Sequence, residues 1–325
     1  MRGLSALLRG LVLAASVLAV QAVHAQAYPS RPIRLVVPFP PGGSADILGR
    51  ALGQKLGEGL GQSVVVENRP GAGTAIAAEL VAKAAPDGYT LMLGTVSSHA
   101  INPALNPKLP FDPLRDFTPI APVASIPFAL LVHPSVPART VPELIGYARS
   151  KPGKLDYSSA GSGTSNHLAG ELFEAMTGTY MVHIPYRGSA PALQDLVAGR
   201  VSVMFDLVLT AAPHVRSGAV RGLAVTGAKR SAALPDLPTI AESGLPGYEV
   251  SAWFAVFGPA GLPRPVVDRL NAEIARALAE PDLRQRLASQ GAETLAGSPD
   301  EFAAYLKAEI AKWDKVVRDA GVRPE

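Results

Sequence analysis

The chain has 325 residues, is 48% hydrophobic and carries 30 basic against 27 acidic side chains, with no cysteine. This length suffices for one large or two medium domains, and the lack of cysteine excludes disulfides, a thiol nucleophile and a Cys-ligated metal. The charge is nearly balanced, about +1 once Arg2 and Arg9 of the leader are set aside, so nothing marks a nucleic-acid partner.

Residues 1–25 read as a secretory signal peptide. Arg2 and Arg9 form its basic region, Leu11 to Val20 its apolar core, and Val23-His24-Ala25 or Ala25-Gln26-Ala27 its cleavage site. The apolar core is too short for a membrane span. The bacterial periplasm is the expected compartment.

A β-branched run, Ile33–Val37, predicts a buried strand, and Ile47, Leu48, Ala51, Leu52 and Leu56 recur at helical spacing within Ser44–Leu60. Between them, Pro38-Phe39-Pro40-Pro41-Gly42-Gly43-Ser44-Ala45-Asp46 makes a tight strand-to-helix turn with Ser44 as the expected N-cap. Free N–H groups at such a helix start bind anions. No Lys or Arg lies between Arg34 and Arg50, so backbone and hydroxyl groups would hold the anion. An ordinary capped loop is the plainer reading. Asp46 offers the same choice between ligand contact and compensation of the helix dipole. Gly49, Gly53, Gly57 and Gly59 in the helix suggest close packing or a frayed end.

Further strands are expected at Ser63–Glu67, Thr90–Gly94, Phe128–His133, Leu155–Ser158, Met181–Ile184, Val201–Phe205 and Arg221–Val225. Helices are expected at Thr74–Ala84, Val141–Ser150, Thr164–Thr177, Ala190–Ala198, Ala211–Ser217, Val266–Ala279, Leu283–Gln290 and Pro299–Ala320. This alternation predicts an α/β fold of parallel sheets flanked by helices, with functional loops at the carboxyl ends of the strands. Two Pro-rich stretches, Phe117–Phe128 and Ala228–Tyr248, read as crossings between lobes, restricted by proline to edge or extended positions. The chain would then leave a first lobe (28–124 plus 247–325), build a second (125–246) and return.

The second functional loop is Ser158-Ser159-Ala160-Gly161-Ser162-Gly163-Thr164-Ser165-Asn166-His167, again small residues and hydroxyls at a helix start. The two loops would hold the two ends of one small anion. Ser162 with His167 suggests a hydrolase pair, against a plain reading of His167 as a hydrogen-bonded residue in the first helical turn. Asp206 closes the run Val203-Met204-Phe205, where it either accepts hydrogen bonds from an ordered water or a ligand amine or caps the next helix. Arg187, in Tyr186-Arg187-Gly188-Ser189, would either attract a carboxylate or be one of the exposed arginines common at loop tips, the plainer reading. Gly71-Ala72-Gly73 lacks the third glycine of a dinucleotide fingerprint. There is no phosphate loop and no nucleophile elbow, and the six histidines lack zinc spacing. No cofactor is expected.

Taken in order, several motifs make the chain resemble the Bug-type receptors of tripartite tricarboxylate transporters across essentially its whole mature length. They are Tyr28-Pro29-Ser30-Arg31-Pro32-Ile33, the Val37–Asp46 loop, Glu67-Asn68-Arg69-Pro70-Gly71-Ala72-Gly73 and Ala85-Pro86-Asp87-Gly88-Tyr89-Thr90-Leu91. Gly163-Thr164-Ser165 with His167–Glu171, Pro185–Ala192, Met204-Phe205-Asp206 and Glu242–Tyr248 complete the set. The resemblance implies a two-lobed periplasmic binding protein fold with two crossing strands. It implies a small organic anion, often a carboxylate, held between the lobes partly through ordered water, and membrane transporter subunits as partners of a monomeric receptor. It points to Pro40, Gly43, Ser44 and Asp46, to Ser97 and Ser98, and to Gly161, Ser162, Gly163, Thr164, His167 and Asp206. Arg187 departs from the lysine frequent at its position, and His99 follows the serine pair. A sensory receptor and a secreted hydrolase stand as the alternative functions.

Overall fold

The structure, a computed structural model, describes residues 28–320. The leader read at residues 1–25 lies outside them. Among the described residues no helix is long and apolar enough to cross a membrane.

The first half alternates strand and helix: β1 Ile33–Val37, α1 Ser44–Leu60, β2 Val64–Asn68, α2 Ala75–Ala82 and β3 Thr90–Thr95. A π-helical turn, Ser97–Ile101, and the short α3, Asn102–Leu105, lead toward β4, Phe117–Val132. The second half runs α4 Val141–Ser150, β5 Asp156–Ser159, α5 Ser165–Thr177, β6 Val182–Pro185, α6 Ser189–Val197, β7 Val203–Leu207, α7 Val208–Arg216 and β8 Arg221–Val225. The chain returns as β9 Ser251–Pro259 and closes with α8 Arg264–Ala279, α9 Pro281–Ser289, β10 Glu293–Thr294 and α10 Pro299–Ala320.

The expected α/β two-lobed architecture with two crossing strands is present. β1, β2 and β3 pair in parallel in one half, and β5, β6 and β7 in the other. The sheets are not wholly parallel as expected, because β4 and β9 run antiparallel to their neighbours. β4 serves both halves. Its Phe117–Pro127 portion pairs with β9, and its Phe128–Val132 portion lies between β7 and β8.

Only the Phe128–Val132 portion of β4 is interior, whereas the portion carrying Pro119, Pro122 and Pro127 has β9 on one flank and a nearly open edge on the other, in keeping with the edge or extended position expected of it. Two register shifts, between Pro119 and Ala121 and between Pro122 and Ala124, absorb the missing N–H groups. On the flank away from β9, the first portion of β4 meets only β10, at Ala124 and Ser125.

Packing accounts for the glycines of α1. A Cβ on Gly49 would lie 3.0 Å from Val37 Cγ2, and one on Gly53 would lie 3.3 Å from Val66 Cγ2. Each lets α1 lie close on the sheet. Glu309 of α10 is buried. Its Oε2 accepts the indole N–H of Trp253 at 2.9 Å and that of Trp313 at 3.1 Å. Glu309→Leu strands both donors and is expected to cost about 2–6 kcal/mol, since each unsatisfied buried group costs about 1–3. Glu309→Gln keeps an acceptor and should cost less. Chemical denaturation of the two variants checks the difference.

Candidate functional site

Five strands of the two halves end at the cleft between them, and each end delivers a different kind of group. β1 leads into the Pro38–Gly43 turn and α1; β5 leads into Ala160–Thr164 and α5; β7 ends on Asp206 and Leu207 ahead of α7. β3 leads to Ser97, and β6 leads through Pro185–Gly188 to Ser189 at the start of α6.

These ends enclose a small cavity of about 30 Å³. Gly43, Ser44 and Ala45 reach it from α1, Thr164, Ser165 and Asn166 from α5, Ser189 from α6, and Leu207 from the start of α7. Four helix N-termini thus converge on one space. The N–H groups of a first helical turn have no intrahelical acceptor and carry partial positive charge. Phe128 of β4 and Phe254 of β9 supply apolar walls. No Lys, Arg or His lines the cavity, and Asp206 is its one titratable residue.

A wider chamber of about 450 Å³ adjoins it, sharing Phe39 and Ala160. Gly71, Gly73, Asn102, Ser162, Gly163 and the exposed Arg187 are among its walls.

The residues named from the sequence divide between these spaces. Pro40, Gly43, Ser44, Ser97, Thr164 and Asp206 line the small cavity, and Gly161, Ser162 and Gly163 line the chamber. Asp46, Ser98 and His167 line neither. Asp46 turns back on its own loop, accepting from Gly42 N–H at 3.0 Å and Asn68 Nδ2 at 3.0 Å, with Arg50 at 2.9 Å. Burial alone would raise its carboxyl, but the hydrogen bonds from Arg50, Gly42 and Asn68 hold it below the usual range. Ser98 Oγ is 2.8 Å from His99 Nδ1 and donates to Thr95 O at 3.0 Å. His99 is stacked on Phe257 at 3.8 Å between centroids, and burial pushes it down to about 3, so it is neutral. His167 Nδ1 accepts Gly163 N–H at 3.2 Å, and its ring stacks on His183 at 4.1 Å. It positions the loop ahead of α5.

The N-cap of α1 is Gly43, not Ser44. Gly43 has φ −83°, which any residue adopts, so its value is not conformational. A Cβ there would point across the cleft, 3.4 Å from Ser189 Oγ. Ser44 is thereby freed from capping, and its hydroxyl lies 3.0 Å from Thr210 Oγ1 of the opposite lobe. Thr210 in turn donates to Asp206 Oδ2 at 2.7 Å. A second bridge joins Ser97 to Ser165, whose N–H donates to Ser97 Oγ at 3.0 Å.

Asp206 is the floor of the cavity. It is 1% exposed, and its Oδ1 has no partner among the described residues. Burial pushes its carboxyl up to about 7 despite hydrogen bonds from Thr210 and Leu207. Thr95, Ser165, Asn166, Ser189 and Thr210 were not assigned to the site from the sequence. Ser165 and Asn166 continue a motif already singled out, whereas Thr210 gave no signal: the sequence pattern places it just ahead of a helix at Ala211–Ser217, which in the structure begins at Val208.

Comparison with known proteins follows from this geometry. The family model described as the tripartite tricarboxylate transporter family receptor matches residues 48–322. A solved R. palustris protein with adipate is 43% identical over 92% of this chain and 100% of its own, with a TM-score of 0.89. MatC from Rhodopseudomonas palustris with bound malate is 37% identical over 89% and 100%, with a TM-score of 0.85. BugT of Bordetella pertussis is 38% identical over 93% of each chain.

Proposed function

Since the chain belongs to the tripartite tricarboxylate transporter receptor family, we propose that it captures a small organic carboxylate between its lobes in the periplasm and delivers it to a membrane transporter without chemical change. The observation that carries this reading is the convergence of four helix N-termini on a cavity without a cation. Desolvating a carboxylate is costly unless several donors replace its water, and helix N–H groups with Ser and Thr hydroxyls are such donors. The adipate and malate of the similar structures make dicarboxylates the first candidates. The lobes are taken as 28–124 plus 247–325 and 125–246, with capture by closure about the two crossings. Pro40, Gly43, Ser44, Ser97, Thr164 and Asp206 form the inner site, while the 450 Å³ chamber receives the rest of the ligand.

A thermal-shift screen of adipate, malate and aromatic carboxylates on the mature chain tests this, followed by calorimetry. At least one carboxylate is expected to raise Tm and to be recovered unaltered after long incubation. Stabilisation by neutral solutes alone would overturn the carboxylate reading. Recovery of a converted product, with conversion lost in Ser162→Ala, would establish the hydrolase instead.

A further inference from the structure

Asp206 poses a problem for a receptor of anions: a carboxylate forms the floor of the cavity meant for one. We infer that Asp206 enters the complex as the neutral acid, its Oδ1 proton standing in for the cation the cavity lacks, so that capture of a carboxylate takes up one proton. This rests on the reading of the cavity as a carboxylate site.

Geometry assigns the two oxygens different tasks. Oδ2 accepts from Thr210, whose hydroxyl also contacts Ser44 of the opposite lobe. Oδ1 is buried in the cavity wall without a partner among the described residues. A neutral carboxyl accepts at one oxygen and donates from the other, which matches this division. An O–H donating to a carboxylate makes a strong, charge-assisted hydrogen bond.

The surroundings do not favour ionisation. β4 carries no titratable residue, and it places Ala129 beside Asp206. On β5, Asp156 accepts from Ser202 N–H and Tyr157 donates to Glu171 of α5. On α5, His167 is held by Gly163. Asp46 on α1 is held by Arg50 and Asn68, and Asp195 on α6 by Tyr186 and Arg200. On α7, Arg216 donates to Ala233 O, and His214 lies in the last turn. On β8, Arg221 donates to the carbonyls of Val136 and Ala138. Burial therefore dominates, and it holds the free carboxyl near 7. A bound anion would raise it further.

Adipate is the probe, because its own carboxyls are fully ionised above about pH 6.5. Calorimetry at pH 6.5 to 9 in buffers of different ionisation enthalpy reads both affinity and proton uptake. In the wild type, uptake should approach one proton between the free pKa and the higher pKa of the complex, and over that range the affinity should fall by up to about tenfold per pH unit, levelling off above the complex pKa. Asp206→Asn, which offers an amide donor in place of the acid, should bind with pH-independent affinity and take up none. Flat wild-type affinity with no uptake would overturn the inference. If adipate does not bind at any pH, that candidate ligand fails, and the carboxyl 13C shift of Asp206 in the free protein decides the proton question. A midpoint near neutrality supports the neutral acid, and one at about 4 removes it.

Discussion

Replacing Gly188 with valine is expected to hold the lobes apart and to reduce carboxylate affinity by more than about a hundredfold, with each lobe still folded. Gly188 sits ahead of α6 at φ +127°, where an L side chain is strained. A Cβ there would lie 2.3 Å from Cδ and 2.4 Å from Cγ of Pro40, which belongs to the opposite lobe. A proline ring cannot rotate out of the way. Relief comes from separating the lobes, which removes Ser44 from Thr210 and Ser97 from Ser165 and opens the cavity. If the closed form falls to a small fraction of molecules, apparent affinity falls by that fraction. Small-angle scattering of the variant with adipate should show the extended form, whereas the wild type is compact. Gly178→Ala separates clash from strain: Gly178 also has positive φ, +63°, but no atom lies within 4 Å of its would-be Cβ. It should lose about 1 kcal/mol of stability and none of its affinity. Wild-type affinity in Gly188→Val would show that the observed approach of the lobes is not needed for binding.

The second large effect is expected at Thr226, which pins the two crossings together. Thr226 is fully buried. Its Oγ1 accepts Phe128 N–H of β4 at 2.8 Å and donates to Val250 O, just ahead of β9, at 2.6 Å. Its backbone N–H donates to Phe128 O at 2.9 Å, and its carbonyl accepts Val250 N–H at 3.0 Å. Thr226→Val preserves shape but strands one buried donor and one buried acceptor. Each costs about 1–3 kcal/mol, so a loss of roughly 2–6 kcal/mol is expected. Because the unpaired groups sit where the lobes join, the variant should also show faster amide exchange at Phe128 and Val250 than in either lobe core. Thr226→Ser, which keeps the hydroxyl, should recover most of the hydrogen-bond loss. Equal stability of valine and serine variants would mean that the hydroxyl is not the pin.

Local pattern carried much of this protein. Ile33–Val37, Ser44–Leu60, Val141–Ser150, Arg221–Val225 and Pro299–Ala320 have the same bounds in the sequence reading and in the structure, because hydrophobic periodicity and turn residues act over a few neighbours. The family was legible for a related reason: its motifs are the loops at strand ends, where backbone geometry restricts residue choice most tightly. That the crossing through Pro119, Pro122 and Pro127 continues into Phe128–Val132 as one strand was not legible. Its place depends on β9, more than a hundred residues later, and on two register shifts that no local preference encodes.

The site divides in the same way. Sequence alone determined that small residues and hydroxyls cluster at Pro40–Asp46 and Ser158–His167, with a carboxylate ending the strand at Asp206. Only the tertiary structure decided which of them share a space. It turned Asp46 and Ser98 back onto their own loops and His167 onto the turn ahead of α5, while it brought Thr210 between Ser44 and Asp206 across the cleft. The physical reason is that a hydrogen bond within a loop is set by neighbours in the chain, whereas burial and the state of an ionisable group are set by everything packed around it. Asp206 is an ordinary acid in the sequence, and the upward push on its carboxyl exists only in the packed fold that buries it.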